Sequence, residues 1–542
     1  MRRTIAVATT VAVMAALSAG TPALAHGGKS HQDRELGTRL ARAVTVDGVL
    51  KHARAFQRIA DRNDGNRASG LPGYDASADY VATRLERAGY EVTRQTFTFP
   101  FWRDVAPPTL AQTAPGSVDY ETGSFTYSGS GDVTGAVVPV DLTLPPTPEP
   151  SSTSGCEAAD FTPAPAAPTV ALVQRGSCDF AVKVANAVAA GYDAVIIFNE
   201  GNPGRTDLTT GTLGAPVTVP VVGLSFADGS ALAQTAGAQV RVTTQTETDL
   251  QRETENVIAD LPARHHGQGH HGSHGSKGSK GSKGKGHDRS QRFAEDEVVV
   301  VGAHLDSVTE GPGINDNGSG SATILEIAEE LSDQGFRDLR RPVRFAFWGA
   351  EEAGLLGSEH YVASLSPDEL ASIHANLNFD MLGSPNYVRF VYDGDGSEGG
   401  EAGPEGSAQI EEVFTDYFDR RGLASEPTDF DGRSDYGPFI AAGIPAGGLF
   451  SGAEGVKTPE QAAVYGGTAG EAYDACYHSA CDDLSNLSNR ALSELGDAAA
   501  FATGTLLTSR DGFSRDDRPR GHHGKKQHRD RTWRSAEHGP RR

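Results

Sequence analysis

The sequence predicts an α/β fold: a mostly parallel, mixed sheet sandwiched by helices, with a smaller α+β domain inserted. Apolar strands alternate with helical patterns over residues 298–508, which is typical of a parallel sheet covered on both faces. Residues 131–247 differ, because short β-rich runs there surround one helical stretch. The length of 542 residues suits about two to four domains.

The elements of the main sheet begin before the insertion. Apolar residues at helical spacing predict helices over 46–60 and 74–88. Alternating residues predict a strand over 91–99, followed by a Pro/Gly/Ser/Thr-rich stretch at 105–130. After the insertion, the same patterns predict strands at 257–261, 298–301, 343–348 and 375–380, and helices at 322–331, 408–421 and 490–507.

The inserted region has the pattern of a self-contained α+β domain of about 115 residues. Its helical stretch covers 180–190, between two of the β-rich runs. The expected strands are at 136–140, 170–174, 194–198, 217–224 and 239–243.

The N-terminus has the pattern of a secretory signal peptide cut after Ala25. Arg2 and Arg3 precede an apolar run of about thirteen residues, short of the roughly 20 that a membrane span needs. The sequence therefore predicts a secreted, extracellular protein without a membrane span. We divide the chain into a signal peptide (1–25), a flexible lead (26–42), a first main-domain part (43–130), the insertion (131–247), a second main-domain part (248–509, with a disordered His/Gly/Ser/Lys loop at 263–292) and a disordered basic tail (510–542).

The net charge of −23 argues against a nucleic-acid partner, because such binding rests on Lys and Arg neutralising phosphates. Two segments contrast with this average. Segment 263–292 has seven basic residues against one acid, and segment 510–542 has eleven against five, so each is +6. They could fold over the acidic body or hold the protein to anionic cell-wall polymers. The acidic body repels its own copies, so we expect a monomer.

Four cysteines in an exported protein are expected to form disulfides. Four cysteines allow three pairings, and the short spacings favour Cys156 with Cys178 and Cys476 with Cys481. A zinc knuckle is excluded by the spacing and by export.

Chemically active side chains follow several strands of the predicted main sheet, at the point where each strand ends. In α/β sheets ligands bind just beyond these carboxyl ends. One carboxylate opens a helix, and one histidine arrives from a later loop. The set consists of His304, Asp306, Asp316, Glu351, Glu352, Asp380 and His478.

Carboxylates packed together repel one another, and divalent cations remove that repulsion. Nitrogen and oxygen ligands without thiolates suit a hydrolytic Zn²⁺ site with an open position. Glu351 would remain as a free base, and Asp306 is placed to hold the second nitrogen of His304. We therefore expect two Zn²⁺ ions per chain, with the ligands His304, Asp316, Glu352, Asp380 and His478.

The same segments resemble the secreted bacterial di-zinc leucyl aminopeptidases, a zinc-exopeptidase family that also includes aminopeptidase Y, glutamate carboxypeptidase II and the transferrin receptor. The inserted region, with its motif RGSCDF at 175–180, resembles a protease-associated (PA) domain. The family resemblance covers about 46–99 and 255–507. The motifs that carry it are GAHLDSV at 302–308, GINDNGSG at 313–320, FWGAEEAGLLGS at 347–358, NFDM at 378–381, GRSDYGPF at 432–439 and CYH at 476–478.

The resemblance implies a role for each site residue. His304 and Asp380 would hold one zinc, Glu352 and His478 the other, and Asp316 would bridge them. Glu351 would be the general base and acid, and Tyr477 and Arg433 would help to hold the substrate and the oxyanion. Some bacterial relatives also bind calcium through C-terminal acids. Here Ser493 stands where one acid is expected, although Asp497 could be the other, so the resemblance gives calcium little support.

The signal peptide and the predicted metal ligands, together with the family resemblance, predict a secreted di-zinc metallo-aminopeptidase; action on peptides with a free N-terminus is what the resemblance implies. Met381, Phe439 and Phe450 suggest an apolar pocket, although each suits a core position equally. A carboxypeptidase of the same fold is an alternative, but it requires a cationic pocket, and Arg433 stands without an Arg cluster beside the motifs. Another alternative is a noncatalytic, receptor-like or adhesive PA-domain protein, against which the complete ligand set argues.

Overall fold

The computed structural model describes residues 33–165, 167–261, 297–335 and 339–509. The predicted signal peptide, the loop at 263–292 and the tail at 510–542 lie outside these residues. All 13 described strands belong to one continuous sheet. Within the described ranges, no helix is both long and apolar enough to cross a membrane.

Three helices precede the sheet: α1 (Asp33–Ala43), α2 (Val46–Ala60) and α3 (Pro72–Arg87). Helices α2 and α3 match the two predicted helices. The prediction of a flexible lead over 26–42 is wrong from residue 33 onward, because Leu36 and Leu40 are four residues apart on α1 and both are buried. A Cβ on Gly37 would lie only 2.5 Å from the carbonyl oxygen of Phe501, so glycine allows α1 to approach the C-terminal helix closely.

A long antiparallel ribbon links the two parts of the protein. It consists of β1 (Glu91–Ala114) and β7 (Gln239–Leu261), which pair along almost their whole length. Strand β1 continues beyond the predicted end at residue 99 into the Pro/Gly/Ser/Thr-rich stretch. Register shifts between Asp104 and Thr109 accommodate the two prolines there, which is why the sequence pattern did not read as strand.

The inserted part is built on the first half of β7. Strands β2 (Val118–Tyr120), β3 (Gly131–Pro139), β4 (Thr169–Gln174), β5 (Ala194–Phe198) and β6 (Val221–Leu224) belong to it, with helices α4 (Phe180–Ala189) and α5 (Phe226–Gln234). Strands β3 to β6 are mutually parallel, and β3 pairs antiparallel with β7. A disulfide joins Cys156 to Cys178 in this part.

The main part contains the remaining elements. Its strands are β8 (Val298–His304), β9 (Val343–Trp348), β10 (Ile373–Phe379), β11 (Phe390–Tyr392), β12 (Glu426–Thr428) and β13 (Ala446–Phe450). Its helices are α6 (Gly318–Asp333), α7 (Leu356–Ser364), α8 (Pro367–Ser372), α9 (Ser407–Arg421), α10 (Tyr436–Ala441), α11 (Pro459–Tyr465) and α12 (Asn489–Thr508).

The strand order in the main part is β12-β11-β13-β10-β8-β9-β7. Strands β13, β10, β8 and β9 are parallel. Strand β7 runs antiparallel to β9, and β11 runs antiparallel to β13 but parallel to β12. Alternate residues of β8 enter different cores: Val299 and Val301 pack with α2, α3, α6 and α12, and Val298 and Val300 pack on the opposite face with Tyr361 and Phe439. The predicted mixed sheet sandwiched by helices is therefore confirmed.

Candidate active site

The site lies at the carboxyl ends of three parallel strands. His304 is the last residue of β8, Asp380 directly follows β10, and Glu351 and Glu352 follow β9 within four residues. Because the three strands are neighbours in the order β10-β8-β9, their ends bring these side chains to one edge. The sequence predicted this convergence from strand ends alone.

Asp316 reaches the same edge through the start of α6. Asn317 caps that helix: its side-chain oxygen accepts hydrogen bonds from the amides of Gly320 (2.9 Å) and Met381 (3.1 Å), and its Nδ2 donates to the carbonyl of Phe379 (2.9 Å). A Cβ on Gly320 would lie 2.3 Å from that carbonyl oxygen. The glycine therefore permits the close approach of α6 to β10 that brings Asp316 towards Asp380.

Three residues at the site have left-handed backbone angles that non-glycine residues rarely adopt. Ala350, Met381 and His478 each have a φ of 52°. Ala350 immediately precedes Glu351, and Met381 immediately follows Asp380. Such conformations cost of order 1–3 kcal/mol each and cluster at functional sites. The surrounding structure therefore stabilises the strained turns that orient Glu351, Asp380 and His478.

Asp316 stands between the two histidines. Its Oδ1 lies 3.3 Å from His304 Nε2, and its Oδ2 lies 3.2 Å from His478 Nε2. Asp380 Oδ1 is also 3.3 Å from His304 Nε2, and Glu352 Oε2 is 2.9 Å from His478 Nε2. The structure thus brings together all five predicted ligands, in two groups that share one carboxylate.

This arrangement fits metal ions better than protons. Each Nε2 faces two carboxylate oxygens, but a protonated ring nitrogen carries a single hydrogen. Two ligands at about 2.0–2.1 Å from a tetrahedral zinc lie about 3.3 Å apart, close to the separations found here. Among the described residues, the buried Asp380 Oδ1 and Glu352 Oε1 also lack hydrogen-bond partners. A cation at each group would satisfy them.

Glu351 is buried beside these groups, with Oε2 3.9 Å from His304 Nε2. Burial, together with the nearby carboxylates, raises the pKa of Glu351 well above its ordinary value. Burial likewise raises the pKa of Glu352 to about 7. Glu351 therefore has the environment of a proton-transfer group.

The two histidines and the carboxylates around them stabilise one another's charged forms. Burial alone would lower the pKa of His304, but the carboxylates of Glu351 and Asp380 outweigh it and hold that pKa well above its ordinary value. Burial would raise the pKa of Asp316, but hydrogen bonds from His304 and His478 outweigh it and lower that pKa. His304 also points Nδ1 at Asp306, 3.2 Å from its carbonyl and 3.5 Å from Oδ1.

A cleft of about 510 Å³, partly open to solvent, contains the five ligands and Glu351. Tyr477 and Arg433 line it as well, and Arg433 Nη2 donates to the Tyr477 hydroxyl (3.1 Å). Met381 and Phe450 also line it, whereas Phe439 packs against Trp348 and Tyr361 in the core. Tyr392 is a lining residue that the sequence did not suggest.

Sequence reasoning missed two residues that hold the site in place. Glu454 accepts a hydrogen bond from Arg433 Nη1 (2.8 Å), and Ser434 donates one to Asp380 Oδ2 (2.6 Å). Ser434 stands next to Arg433 in the GRSDYGPF motif, which was the available signal. No sequence feature marks Glu454, because its partner is 21 residues away.

The second disulfide joins Cys476 to Cys481 and encloses Tyr477 and His478. Both observed disulfides, Cys156–Cys178 and Cys476–Cys481, are the local pairs that the spacing predicted. The bridge closes a short loop around the two residues that face the cleft, and thereby restricts their positions.

Fold and site together define a class: a metal-dependent hydrolase with an α/β fold, whose candidate metal ligands lie at the carboxyl ends of the strands. The chain belongs to peptidase family M28, whose model matches residues 287–503, and a PA domain matches residues 133–232. Membership is shown by an aminopeptidase of Pseudomonas aeruginosa, which is 47% identical over 478 residues, covering 87% of this chain and 82% of the relative.

Two further proteins are similar. A probable leucine aminopeptidase 2 of Aspergillus fumigatus is 39% identical over 455 residues, which cover 82% of this chain and 80% of the relative. Among solved structures, a zinc aminopeptidase from Bacillus subtilis matches with a TM-score of 0.57 and 25% identity, covering 85% of this chain and 94% of that one.

Proposed function

We propose that the protein is a secreted di-zinc aminopeptidase that removes N-terminal residues with apolar side chains from peptides. The observation that carries this proposal is the position of Asp316, whose two oxygens face His304 and His478 at 3.3 and 3.2 Å. A carboxylate shared in this way is what a paired-metal hydrolase requires. The names of the relatives from Pseudomonas aeruginosa and Bacillus subtilis support the same activity.

In this proposal His304 and Asp380 would hold one zinc ion, His478 and Glu352 would hold the other, and Asp316 would contribute to both groups. When bound, zinc would supply Lewis acidity, which makes a water molecule acidic enough to react near neutral pH. Asp306 orients His304 through the second ring nitrogen, as outer carboxylates and carbonyls do at metal sites.

Glu351 moves the proton. It accepts a proton from the attacking water and then passes that proton to the nitrogen of the leaving peptide. Its position 3.9 Å from His304 and its raised pKa, caused chiefly by burial, suit a group that first accepts and then donates a proton. Glu352, the neighbouring residue, faces His478 and is occupied as a ligand.

The cleft residues orient the substrate. Tyr477 and Arg433, which line the cleft, would donate hydrogen bonds to the carbonyl oxygen as it gains negative charge. The free α-amine of the substrate is a cation, so it suits the carboxylates of Glu351 and Asp380. Met381 and Phe450 form an apolar wall of the cleft for the side chain of the substrate's N-terminal residue, which supports a preference for apolar N-terminal residues.

A carboxypeptidase of this fold would need cations for the substrate carboxylate. Arg433 is the one guanidinium that lines the cleft in the described part of the chain, and Glu454 already neutralises it. The geometry therefore favours the N-terminal activity. Two disulfides and the predicted signal peptide support an extracellular location.

A panel of anilide substrates tests the proposal. Purified protein with added zinc should hydrolyse leucyl anilide, fail on N-acetyl-leucyl anilide, and leave peptides with a blocked N-terminus and free C-terminus intact. Elemental analysis should find two zinc ions per chain. Cleavage that depends on a free carboxylate would replace the proposal with the carboxypeptidase alternative, and a zinc-saturated protein inert on every amide would favour the noncatalytic one.

A further inference from the structure

Asp482 is a buried carboxylate that binds the backbone of the segment carrying Asp316. Its Oδ1 accepts a hydrogen bond from the amide of Asn315 (2.8 Å), and its Oδ2 accepts one from the amide of Asp316 (2.9 Å). The amide of Ile314 donates to its carbonyl oxygen (2.9 Å). Three consecutive amides therefore end on one residue, whose side chain is almost completely inaccessible to solvent.

A second buried carboxylate, Asp474, strengthens this connection. Its Oδ2 accepts a hydrogen bond from Asn315 Nδ2 (2.6 Å), and its Oδ1 accepts one from the amide of Cys476 (2.8 Å). Asn486 Nδ2 lies between the two carboxylates, 2.9 Å from Asp474 Oδ2 and 3.0 Å from Asp482 Oδ1. The disulfide loop from Cys476 to Cys481 is thus fixed on both sides to the segment from 314 to 316.

The disulfide loop carries His478, and the fixed segment carries Asp316. The 3.2 Å separation between His478 Nε2 and Asp316 Oδ2 is therefore set by buried hydrogen bonds behind the site. The side chains that make these bonds, those of Asp482, Asp474, Asn315 and Asn486, lie outside the predicted ligand set. Buried amides need acceptors, so removal of the Asp482 acceptors would free the segment to move away from the loop.

We propose that Asp482 is a positioning residue for the bridging carboxylate. It holds Asp316 between the two histidines before metal arrives, and in this way raises the affinity of the paired site for zinc. The inference rests on the proposed di-zinc function. Loss of residues that orient ligands typically weakens metal binding about 10- to 100-fold, and we expect an effect of this size.

The test compares two variants that make the same chemical change. Asp482→Asn replaces one acceptor oxygen with an NH₂ group that faces a backbone N–H. The matched control is Glu200→Gln in the inserted domain, because Glu200 Oε1 is also buried and accepts the amides of Ser151 (2.9 Å) and Ser152 (3.0 Å). Zinc affinity is measured by competition with a chelator, and the Tm of the metal-free protein is measured alongside.

Both variants should lower the Tm of the metal-free protein, but only Asp482→Asn should weaken zinc binding by about tenfold or more. Wild-type zinc affinity in folded Asp482→Asn, or an equal loss in Glu200→Gln, overturns the inference. If Asp482→Asn does not fold, Asn486→Ala decides: weaker zinc binding supports the inference and unchanged binding overturns it. A wild-type protein that binds no zinc would instead overturn the di-zinc function itself.

Discussion

The hydroxyl of Ser434 donates a hydrogen bond of 2.6 Å to Oδ2 of Asp380, from a position 54 residues further along the chain. This contact occupies one oxygen of the carboxylate and leaves Oδ1, which has no hydrogen-bond partner, facing His304 at 3.3 Å. In the proposed metal site, Asp380 would therefore offer a single oxygen to a metal ion. Ser434 is itself held, because Asn378 Nδ2 donates to its oxygen (2.8 Å).

Replacement of Ser434 by alanine should weaken zinc binding about tenfold, because Asp380 is then free to rotate. It should also lower the free energy of unfolding by about 1–3 kcal/mol, since the buried Asn378 amide loses its acceptor. Ser154→Ala is the control, because that buried serine makes similar bonds in the inserted domain. Equal zinc affinities for the two variants would mean that Ser434 stabilises the fold without orienting a ligand.

Glu351→Gln should lower kcat by at least about 10²-fold, because glutamine keeps the shape but accepts no proton from water. We expect two zinc ions to remain bound, since Glu351 lies outside both ligand groups. Glu352→Gln is the contrasting variant, because it should lose metal as well as activity. Near-normal kcat for Glu351→Gln, measured on leucyl anilide at saturating zinc, would place the base elsewhere.

His478→Ala should retain one zinc ion and lose most activity. His478 contributes to only one of the two groups, whereas His304, Asp316 and Asp380 remain together around the other. Elemental analysis after dialysis at neutral pH measures the loss. His360→Ala is the control, since that histidine stacks on Phe97 away from the cleft. Two retained ions in His478→Ala would remove this histidine from the ligand set.

The convergence of the candidate ligands could be predicted from the sequence because parallel strands bring their ends together. His304, Glu352 and Asp380 each follow an apolar run, so local patterns sufficed to group them. The positioning residues Ser434 and Asp482 could not be found in this way. Their partners lie 54 and 166 residues away, and nothing in the local sequence indicates which amide or carboxylate they contact.

The difference between local and distant partners also explains the two errors in the predicted fold, which concern α1 and β1. Helix α1 has few apolar residues, and its burial depends on α12 at the other end of the chain. Strand β1 extends through three prolines because β7 lies beside it and absorbs the register shifts. In both cases a distant partner outweighs the local signal.

The two disulfides should differ in what their removal does. The Cys476–Cys481 bridge spans 5 residues and the Cys156–Cys178 bridge spans 22, so loop-closure entropy predicts about 2 and about 3 kcal/mol of stabilisation. Yet the shorter loop contains Tyr477 and His478. Cys476→Ser/Cys481→Ser should therefore lower kcat/KM on leucyl anilide strongly, whereas Cys156→Ser/Cys178→Ser should mainly lower Tm. The reverse pattern would show that the shorter bridge does not position the site.

Lys183 gives the inserted domain a stability that depends on pH. Its ammonium group is buried, donates to the carbonyl of Ser154 (2.5 Å) and lies 3.7 Å from Cys156 Sγ. Burial lowers the pKa of Lys183 to about 8, below the value of about 10.4 in an unfolded chain. Below pH 8 both states hold the proton and the penalty for burying the charge is complete. Between pH 8 and 10.4 the unfolded state binds more protons, so the stability contributed by this group rises with pH, by at most about 3 kcal/mol.

The variant Lys183→Met removes this titration. Its Tm relative to wild type, measured from pH 7 to 10, should therefore decline as the pH increases, because only the wild type gains stability. A difference that is constant with pH would mean that Lys183 keeps its ordinary pKa in the folded domain.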